Sequence, residues 1–356
     1  MKYRMLSMVI ALFIFVPGLP AAEDVPLTLC GWGIDMKNPD AFCTRAAAVG
    51  FDTLITWSTD PEFLQKVAAA GEKHDVRIFS SIAPMGGLAR LWNKTYPGRP
   101  VPWQVMTPQQ QAAGSFIMAG DNEYLIPYQF GGEPVMTNEV LGNQIICFND
   151  LDARALLEDQ IDAIVAVPGL EGLAFDGFGY QNYHRCHCER CERLFARYRA
   201  AHPDMSAQHA EITYFRGVLV DYINHLANYA RSKREDIKTA IHIWPVFAPE
   251  PLYGNRLDVD YCGQTAAWYM PWPQDKIAEY SRIISAEANR YYMRQQGVAM
   301  IGYYDRPDTF PIKDAARVDM ELSTIIENGC RRVQVCGARD VLNNTEIARV
   351  FSKYFK

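Results

Sequence analysis

Residues 150–178 read DLDARALLEDQIDAIVAVPGLEGLAFDGF. Asp150 is a residue type that favours the start of a helix, because its side chain can accept a hydrogen bond from the first turn. One face of the following stretch, at helical spacing, carries Leu156, Leu157, Ile161, Ile164 and Val165. A short apolar run at 172–178 then has the length and composition of a buried strand. The segment therefore predicts a helix followed by a strand, the repeating unit of a parallel sheet with helices packed outside it.

The same alternation of short apolar runs and helical patterns recurs along the chain. Strands are predicted at 27–33, 52–57, 76–82, 172–178, 239–244, 258–265, 298–304 and 332–337. Pro61 after Asp60 marks the start of one helix, and Gly329 marks the end of another. Eight strands are the number that closes a barrel of this kind. We expect an α/β fold, a (β/α)8 TIM barrel, as a single domain over 23–356.

The first 22 residues have the features of a secretory signal peptide. Lys2 and Arg4 give a basic start, an apolar run follows from Met5 to Val16, and small residues end the segment. The alternative is an uncleaved membrane anchor. No later run is apolar enough to cross a bilayer. We therefore expect a secreted or periplasmic protein with no membrane partner once the signal is removed.

The composition is that of a globular protein, and the net charge argues against nucleic-acid binding. The chain is 49% hydrophobic and carries a formal net charge of −6, whereas phosphate binding needs a basic face. The sequence also lacks the glycine-rich motifs of nucleotide-binding loops and the nucleophile elbow of α/β-hydrolases.

One connection is much longer than the others. Residues 83–149, between the third and fourth predicted strands, have several prolines and glycine pairs and no sustained period. Connections of this size are often lids, and this one leaves the C-terminal face, where barrel active sites lie. We expect it to cover the active site and to contribute Trp103, Glu123, Tyr124 and Glu133. The alternative is a decoration that only shields the barrel or mediates oligomerisation.

Four of the nine cysteines form a recognisable group. Cys186, Cys188 and Cys191 have the spacing C-x-C-x-x-C, which places three thiols on one turn and the start of a helix. Such thiols suit a tetrahedral zinc ion, and Cys147 or a nearby histidine would supply the fourth ligand. A closed site of this kind would be structural. Disulfide pairing among the same cysteines is the alternative in an oxidising compartment.

The residues around these cysteines resemble a known family. Cys147-Phe148-Asn149 before a helix and a strand, followed by the C-x-C-x-x-C triplet and Glu192-Arg193-Leu194-Phe195, is similar to the zinc-containing β-galactosidases of glycoside hydrolase family 42. Related hypothetical glycosyl hydrolases share the arrangement. The match covers roughly 145–195. The resemblance implies that Cys147, Cys186, Cys188 and Cys191 bind zinc, and that the barrel acts on glycosides.

Glycoside hydrolysis typically needs two carboxyl groups, which in a barrel lie at the C-terminal ends of strands. This filter selects Asp176, with Asp305 or Asp340 as its partner. Each could instead cap the helix or turn that follows it. Family 42 carries an Asn-Glu pair where this chain has Asp176-Gly177, and a glutamate where it offers Asp305. Neither the family's mechanism nor its galactoside specificity therefore carries over.

Aromatic side chains at strand ends predict a sugar-binding site, because flat rings pack against the apolar faces of pyranose rings. The candidate substrate-binding residues are Trp32, Trp57, His242, Trp244, Gln264, Trp268 and Tyr303. A histidine buried in the core is an equal alternative for His242.

These observations lead to one leading hypothesis and two rivals. We predict an exported glycoside hydrolase acting on a poly- or oligosaccharide. A non-catalytic carbohydrate-binding barrel is the first alternative. A metal-dependent hydrolase is the weaker one, because the seven histidines are scattered along the chain instead of gathering at strand ends.

Overall fold

The computed structural model describes residues 26–113, 115–116, 140–141, 144–182, 184–243, 256–268, 272–288, 290–305 and 312–356. The strands in these residues are β1 (Thr28–Trp32), β2 (Phe51–Thr56), β3 (Arg77–Ile82), β4 (Ser115–Phe116), β5 (Val140–Leu141), β6 (Gly172–Phe175), β7 (Lys238–Ile243), β8 (Tyr261–Ala267), β9 (Gln296–Gly302) and β10 (Arg332–Cys336). The helices are α1 (Pro39–Val49), α2 (Pro61–Lys73), α3 (Gly86–Thr95), α4 (Pro108–Ala113), α5 (Leu151–Val165), α6 (Glu189–Ala201), α7 (Ala207–Lys233), α8 (Gln274–Glu287), α9 (Ala315–Glu327), α10 (Ala338–Asn343) and α11 (Thr345–Phe355).

Eight strands close into a barrel in the order β1-β10-β9-β8-β7-β6-β3-β2. Every pairing in the barrel is parallel, from β1 with β2 round to β1 with β10. The helices surround it, and buried apolar side chains of strands and helices form one continuous core. The prediction of a (β/α)8 barrel is confirmed. Each predicted strand overlaps one barrel strand.

The helices begin and end where the local chemistry indicates. The Asp60 side chain accepts a hydrogen bond at the start of α2, and the Asp150 side chain does so at the start of α5. Gly329 follows α9 with φ +96°, a conformation that a side chain would strain.

The N-terminal end of the barrel is closed by a polar cluster. The Arg77 guanidinium, at the start of β3, donates to Asp52 at 2.7 Å and to the Tyr261 hydroxyl at 2.9 Å. Together with Cys30 and Arg332 these side chains line a cavity of only about 30 Å³, room for about one water molecule. We call the opposite, C-terminal end of the barrel the mouth.

The long connection 83–149 is described only in part. It contains α3, a ten-residue helix that the sequence pattern did not indicate, because only Leu88, Ala89 and Trp92 are buried along its length. Trp103 forms an isolated antiparallel bridge with Ile146. Glu123, Tyr124 and Glu133 lie outside the described residues. That the connection covers the mouth stays a prediction.

The N-terminal segment 1–22 also lies outside the described residues, so its assignment as a signal peptide stays a prediction. Within the described part of the chain, no helix combines the length and the apolar character needed to cross a bilayer.

Candidate active site at the barrel mouth

The inner wall of the barrel is identified by side chains of different strands that meet inside it. His242 Nε2 lies 3.3 Å from Thr265 Oγ1, and a side chain at Gly263 would collide with the Gln334 amide. Because side chains alternate along a strand, Gln264 faces the helices instead. It is fully buried, and its amide has no hydrogen-bond partner among the described residues. The structure thus does not bring Gln264 to the mouth with the other candidates.

Trp57 and Asp176 meet at the mouth although they lie far apart in the sequence. Trp57 follows β2, Asp176 follows β6, and β3 lies between these strands. The Trp57 indole N–H donates to Asp176 Oδ2 at 3.1 Å. The Trp57 ring remains 51% exposed. Gly33, with φ +98°, leaves room for this ring, because a Cβ at that position would lie only 3.1 Å from a ring carbon. A carboxylate and a solvent-facing aromatic ring are therefore held side by side.

Three further rings form the floor beneath this pair. Trp32 lies 6.2 Å from the Trp57 ring centroid and 6.2 Å from that of His242. His242 in turn stacks on Trp268 with centroids 5.6 Å apart. All three floor residues are buried. Burial lowers the pKa of His242 to about 3, so its imidazole is neutral at neutral pH. The sequence-predicted Trp32, Trp57, His242 and Trp268 are thus brought together.

Several buried polar atoms of the inner wall lack hydrogen-bond partners among the described residues. Two of them, Trp32 Nε1 and Ser81 Oγ, lie toward the C-terminal ends of their strands. Ser81 lies on β3, between the strands that carry Trp57 and Asp176, and faces inward by alternation. Buried polar atoms are nearly always paired, so unpaired ones at a mouth suit the hydroxyls of a ligand. Sequence reasoning missed Ser81, although a polar inward residue next to a strand end is the signal that could have found it.

The two other candidate carboxylates lie across the barrel from Asp176. Asp305 is exposed just after β9, three strands round from β6, and Asp340 is buried in the first turn of α10 after β10, four strands round. Burial, and next the charge of Asp305, raise the pKa of Tyr303 to about 12. Tyr303 itself faces the helices, where its hydroxyl accepts from the Asn344 amide at 3.0 Å. Tyr303 is therefore not part of the mouth.

Lys313 holds the strand ends at this side of the barrel. Its buried ammonium donates to the carbonyl oxygens of Trp268, just after β8, and of Gly302, the last residue of β9, and pairs with Glu321 at 2.7 Å. Burial lowers the pKa of Lys313, and the Glu321 carboxylate opposes that effect. These contacts of Lys313, which we call the clamp, hold the backbone of Trp268, whose ring forms part of the floor. Trp244 lies outside the described residues.

The four predicted zinc ligands converge at a second place. The sulfurs of Cys147, Cys186, Cys188 and Cys191 all lie within 4.8 Å of one another. Cys147 Sγ is 3.4 Å from Cys191 Sγ and 3.7 Å from Cys188 Sγ. A tetrahedral shell with zinc–sulfur bonds of about 2.3 Å places sulfurs about 3.8 Å apart, whereas a disulfide bond is about 2.05 Å long. All nine cysteines of the chain are described, and each is a free thiol.

The surroundings favour a thiolate at two of the four sulfurs, since the pKa values of Cys186 and Cys188 are lowered by hydrogen bonds from neighbouring thiols. The Val105 backbone N–H donates to Cys186 Sγ at 3.3 Å, and the Asn149 amide donates to Cys191 Sγ at 3.2 Å. Hydrogen bonds from the three neighbouring thiols lower the pKa of Cys188, while the same contacts raise that of Cys147. Four thiols this close cannot all ionise without a cation among them. The group is a buried cluster that could bind a metal.

No protein-family model matches the sequence, and no curated protein matches it significantly. Solved structures do match. The chain is similar to a β-galactosidase from Bacillus circulans sp. alkalophilus, with a TM-score of 0.58 and 11% identity over 94% of this chain and 56% of that one. It is also similar to a family 20 exo-β-N-acetylglucosaminidase from Vibrio harveyi, with a TM-score of 0.50 and 7% identity over 93% and 54% of the two chains.

The structural neighbours are therefore glycoside hydrolases with barrel folds. This chain spans little more than half the length of these two proteins. At such low identity the likeness establishes the fold alone. The closer resemblance to family 42 stays a prediction, as does the role of each site residue.

Proposed function

We propose that this protein is an exported glycoside hydrolase that cleaves glycosidic bonds in a poly- or oligosaccharide with a pair of carboxylates. The observation that carries the proposal is the pairing at the mouth of a half-exposed indole with a carboxylate, Trp57 Nε1 to Asp176 Oδ2 at 3.1 Å. The ring supplies a face for a pyranose, and the carboxylate supplies the reacting group. The glycosidase neighbours of the fold support the same conclusion.

Asp305 is the better candidate for the second carboxylate. Opposing carboxyl groups must flank the scissile bond, about 5 Å apart for retention or about 6.5–9.5 Å apart for inversion. Asp305 is exposed at the mouth three strands from Asp176, whereas Asp340 is buried in α10 on the diametrically opposite strand. An exposed carboxylate can reach a substrate more readily than one enclosed by a helix.

A non-catalytic carbohydrate-binding barrel is the second candidate. Trp32 Nε1 and Ser81 Oγ, buried and without partners in the described chain, would suit sugar hydroxyls whether or not a bond is broken. A binding protein would use the same aromatic floor. The two proposals differ only in what Asp176 does.

The test compares Asp176→Asn with Asp60→Asn, using the purified mature protein and a glycan panel. Asp176→Asn keeps the volume of the side chain and removes the ionisable group. We expect turnover to fall by about 10²- to 10⁴-fold, with melting temperature and sugar affinity unchanged. Asp60→Asn is the same chemical change at the N-cap of α2, where Asn caps as well as Asp. It should leave turnover intact.

Two outcomes would count against the enzyme. Sugar binding without turnover in the wild-type protein across the panel would favour the binding barrel. A destabilised but active Asp176→Asn variant would mean that this residue serves the fold.

For the cysteine group we propose a structural zinc site. Cys147, Cys186, Cys188 and Cys191 would hold the ion, and the sulfur separations and backbone donors described above support this ligand set. When bound, the ion would neutralise the thiolates and join the segments that carry them. A shell of four protein ligands leaves no position for a reacting water. The site would therefore stabilise the fold and take no part in the reaction.

We also propose export to the periplasm or the medium, directed by residues 1–22. Mass spectrometry of the mature protein tests the proposal, and we expect its N-terminus at residue 23. Retention of residues 1–22 on a membrane-bound protein would favour the anchor.

A further inference from the structure

We propose that Trp57 is a positioning residue for Asp176, whose carboxylate it orients toward the substrate. The inference rests on the glycoside hydrolase proposal and concerns the indole N–H, a group distinct from the ring face that would bind sugar. It also assigns to Asp176 the role of nucleophile or general base in the carboxyl pair, and not that of the general acid. The proton for the leaving oxygen would then come from another group.

The first support is the fixed placement of the Trp57 ring. Trp57 packs on the buried ring of Trp32, at 6.2 Å between centroids with the planes at 41°. Gly33 adjoins the six-membered ring of the indole and leaves space for it, in a left-handed conformation that favours glycine. With the ring placed by these neighbours, its N–H meets Asp176 Oδ2.

The second support is the chemistry of the contact. An indole N–H is a donor only, so the Asp176 oxygen that it meets must act as an acceptor. Donation to a carboxylate stabilises the ionised form over the protonated one. Asp176 also follows directly on β6, and its backbone N–H donates to the Ile82 carbonyl at 3.0 Å. Backbone and side chain of Asp176 are thus both held.

The third support is the separation of the two functions of one side chain. The Trp57 ring is 51% exposed, which leaves a face for a sugar while the N–H is engaged by Asp176. A substitution that keeps an aromatic face and removes the N–H can therefore separate positioning from stacking. Phenylalanine is that substitution.

The kinetic test compares Trp57→Phe with Trp92→Phe on an aryl glycoside that the wild-type protein hydrolyses. For Trp57→Phe we expect kcat to fall by about 10- to 100-fold, the range for losing a hydrogen bond to a charged group, with KM changed less than about twofold. The melting temperature should change by less than about 2 °C, because the side chain is half-exposed. Trp92→Phe is the matched control, since its indole donates to the Arg99 carbonyl in the α3 region. It should leave kcat unchanged.

A raised KM with unchanged kcat would overturn the positioning role and leave Trp57 as a stacking platform alone. A second prediction separates direct from indirect action. In the Asp176→Asn background, Trp57→Phe should have no further effect on the residual kcat, because residues that act through one another are not additive. Independent, multiplicative effects of the two substitutions would also overturn it.

A readout that does not depend on turnover is the indole N–H signal in a ¹⁵N-tryptophan NMR spectrum. The Trp57 N–H should exchange with water at least about tenfold more slowly in the wild-type protein than in Asp176→Ala, because exchange requires the hydrogen bond to open. Equal exchange rates would overturn the pair. If the wild-type protein showed no turnover on any glycan, the glycosidase proposal would fail, and slow exchange would still establish the contact.

Discussion

His242 provides a stability prediction that can be worked from the structure. Its imidazole is buried between Trp32 and Trp268 and hydrogen-bonded to Thr265, and burial lowers its pKa to about 3. In the unfolded chain the same group has a pKa of about 6.5. Between these two values the unfolded state binds a proton that the folded state does not. Stability due to His242 is therefore complete above about pH 6.5 and decreases as the pH falls toward 3.

The magnitude follows from the same two pKa values. From pH 7 to pH 5 the proton bound by the unfolded state should reduce the free energy of unfolding by about 2 kcal/mol. In His242→Gln, which keeps a neutral polar side chain, this contribution is absent. The wild-type protein should therefore lose about 2 kcal/mol more than His242→Gln over that interval. Other titrating groups contribute equally to both proteins and cancel.

Urea unfolding of both proteins at pH 7 and pH 5 measures the difference. His209→Gln, which replaces an exposed imidazole on α7, is the matched control and should behave as the wild type does. Equal losses for the wild type and His242→Gln would refute the reasoning. They would mean that His242 binds a proton readily in the folded state and so could act as a cationic acid at the mouth.

Two further predictions concern the fold around the site. Elemental analysis should find about one zinc per chain. Cys188→Ser should lower the melting temperature when zinc is present, and the effect should shrink when a chelator removes the zinc; Cys262→Ser, at a lone buried thiol, should show no such zinc dependence. An effect of Cys188→Ser that is the same with and without the chelator would contradict the prediction. Lys313→Met should cost about 3 kcal/mol in urea unfolding, the low end of the range for breaking a buried ion pair, because Arg317, at 2.6 Å, still pairs with Glu321. Lys353→Met, at an exposed ion pair, should cost less than about 1 kcal/mol, and similar costs for the two variants would show that the Lys313 contacts contribute little.

The fold could be predicted because its signals are local. Most barrel strands are short apolar runs, and several helices carry their own start or stop residues, such as Asp150 before α5 and Gly329 after α9. The cysteine spacing is equally local, since three of the four thiols lie close together in the sequence at the start of α6, with Cys188 at its N-cap and Cys191 in its first turn. Such features can be recognised in the sequence without knowing which side chains they contact across the barrel.

The candidate site could be predicted only in part, because a strand face depends on register. Side chains alternate with a period of two, so an error of one residue reverses the assignment. The sixth strand was predicted to begin at 258 and begins at Tyr261, and Gln264 faces the helices while its neighbour Thr265 faces inward. Tyr303 is displaced from the mouth in the same way. The contact of Trp57 with Asp176 joins two distant segments, which no local pattern encodes.

The cysteine group and the mouth are connected through β6. Cys147 lies just before α5, the helix that leads into β6, and the other three thiols follow the loop that leaves β6 after Asp176. That loop is also held by Gln104, which accepts from the Gln181 backbone N–H at 2.8 Å and donates to the Gly179 carbonyl at 3.1 Å. A metal at the four sulfurs would therefore join both flanks of the strand that presents Asp176. The metal would take no part in the reaction itself, but it would limit the motion of the carboxylate, and misplacement of a reacting group by about 1 Å can cost about 10²-fold in rate.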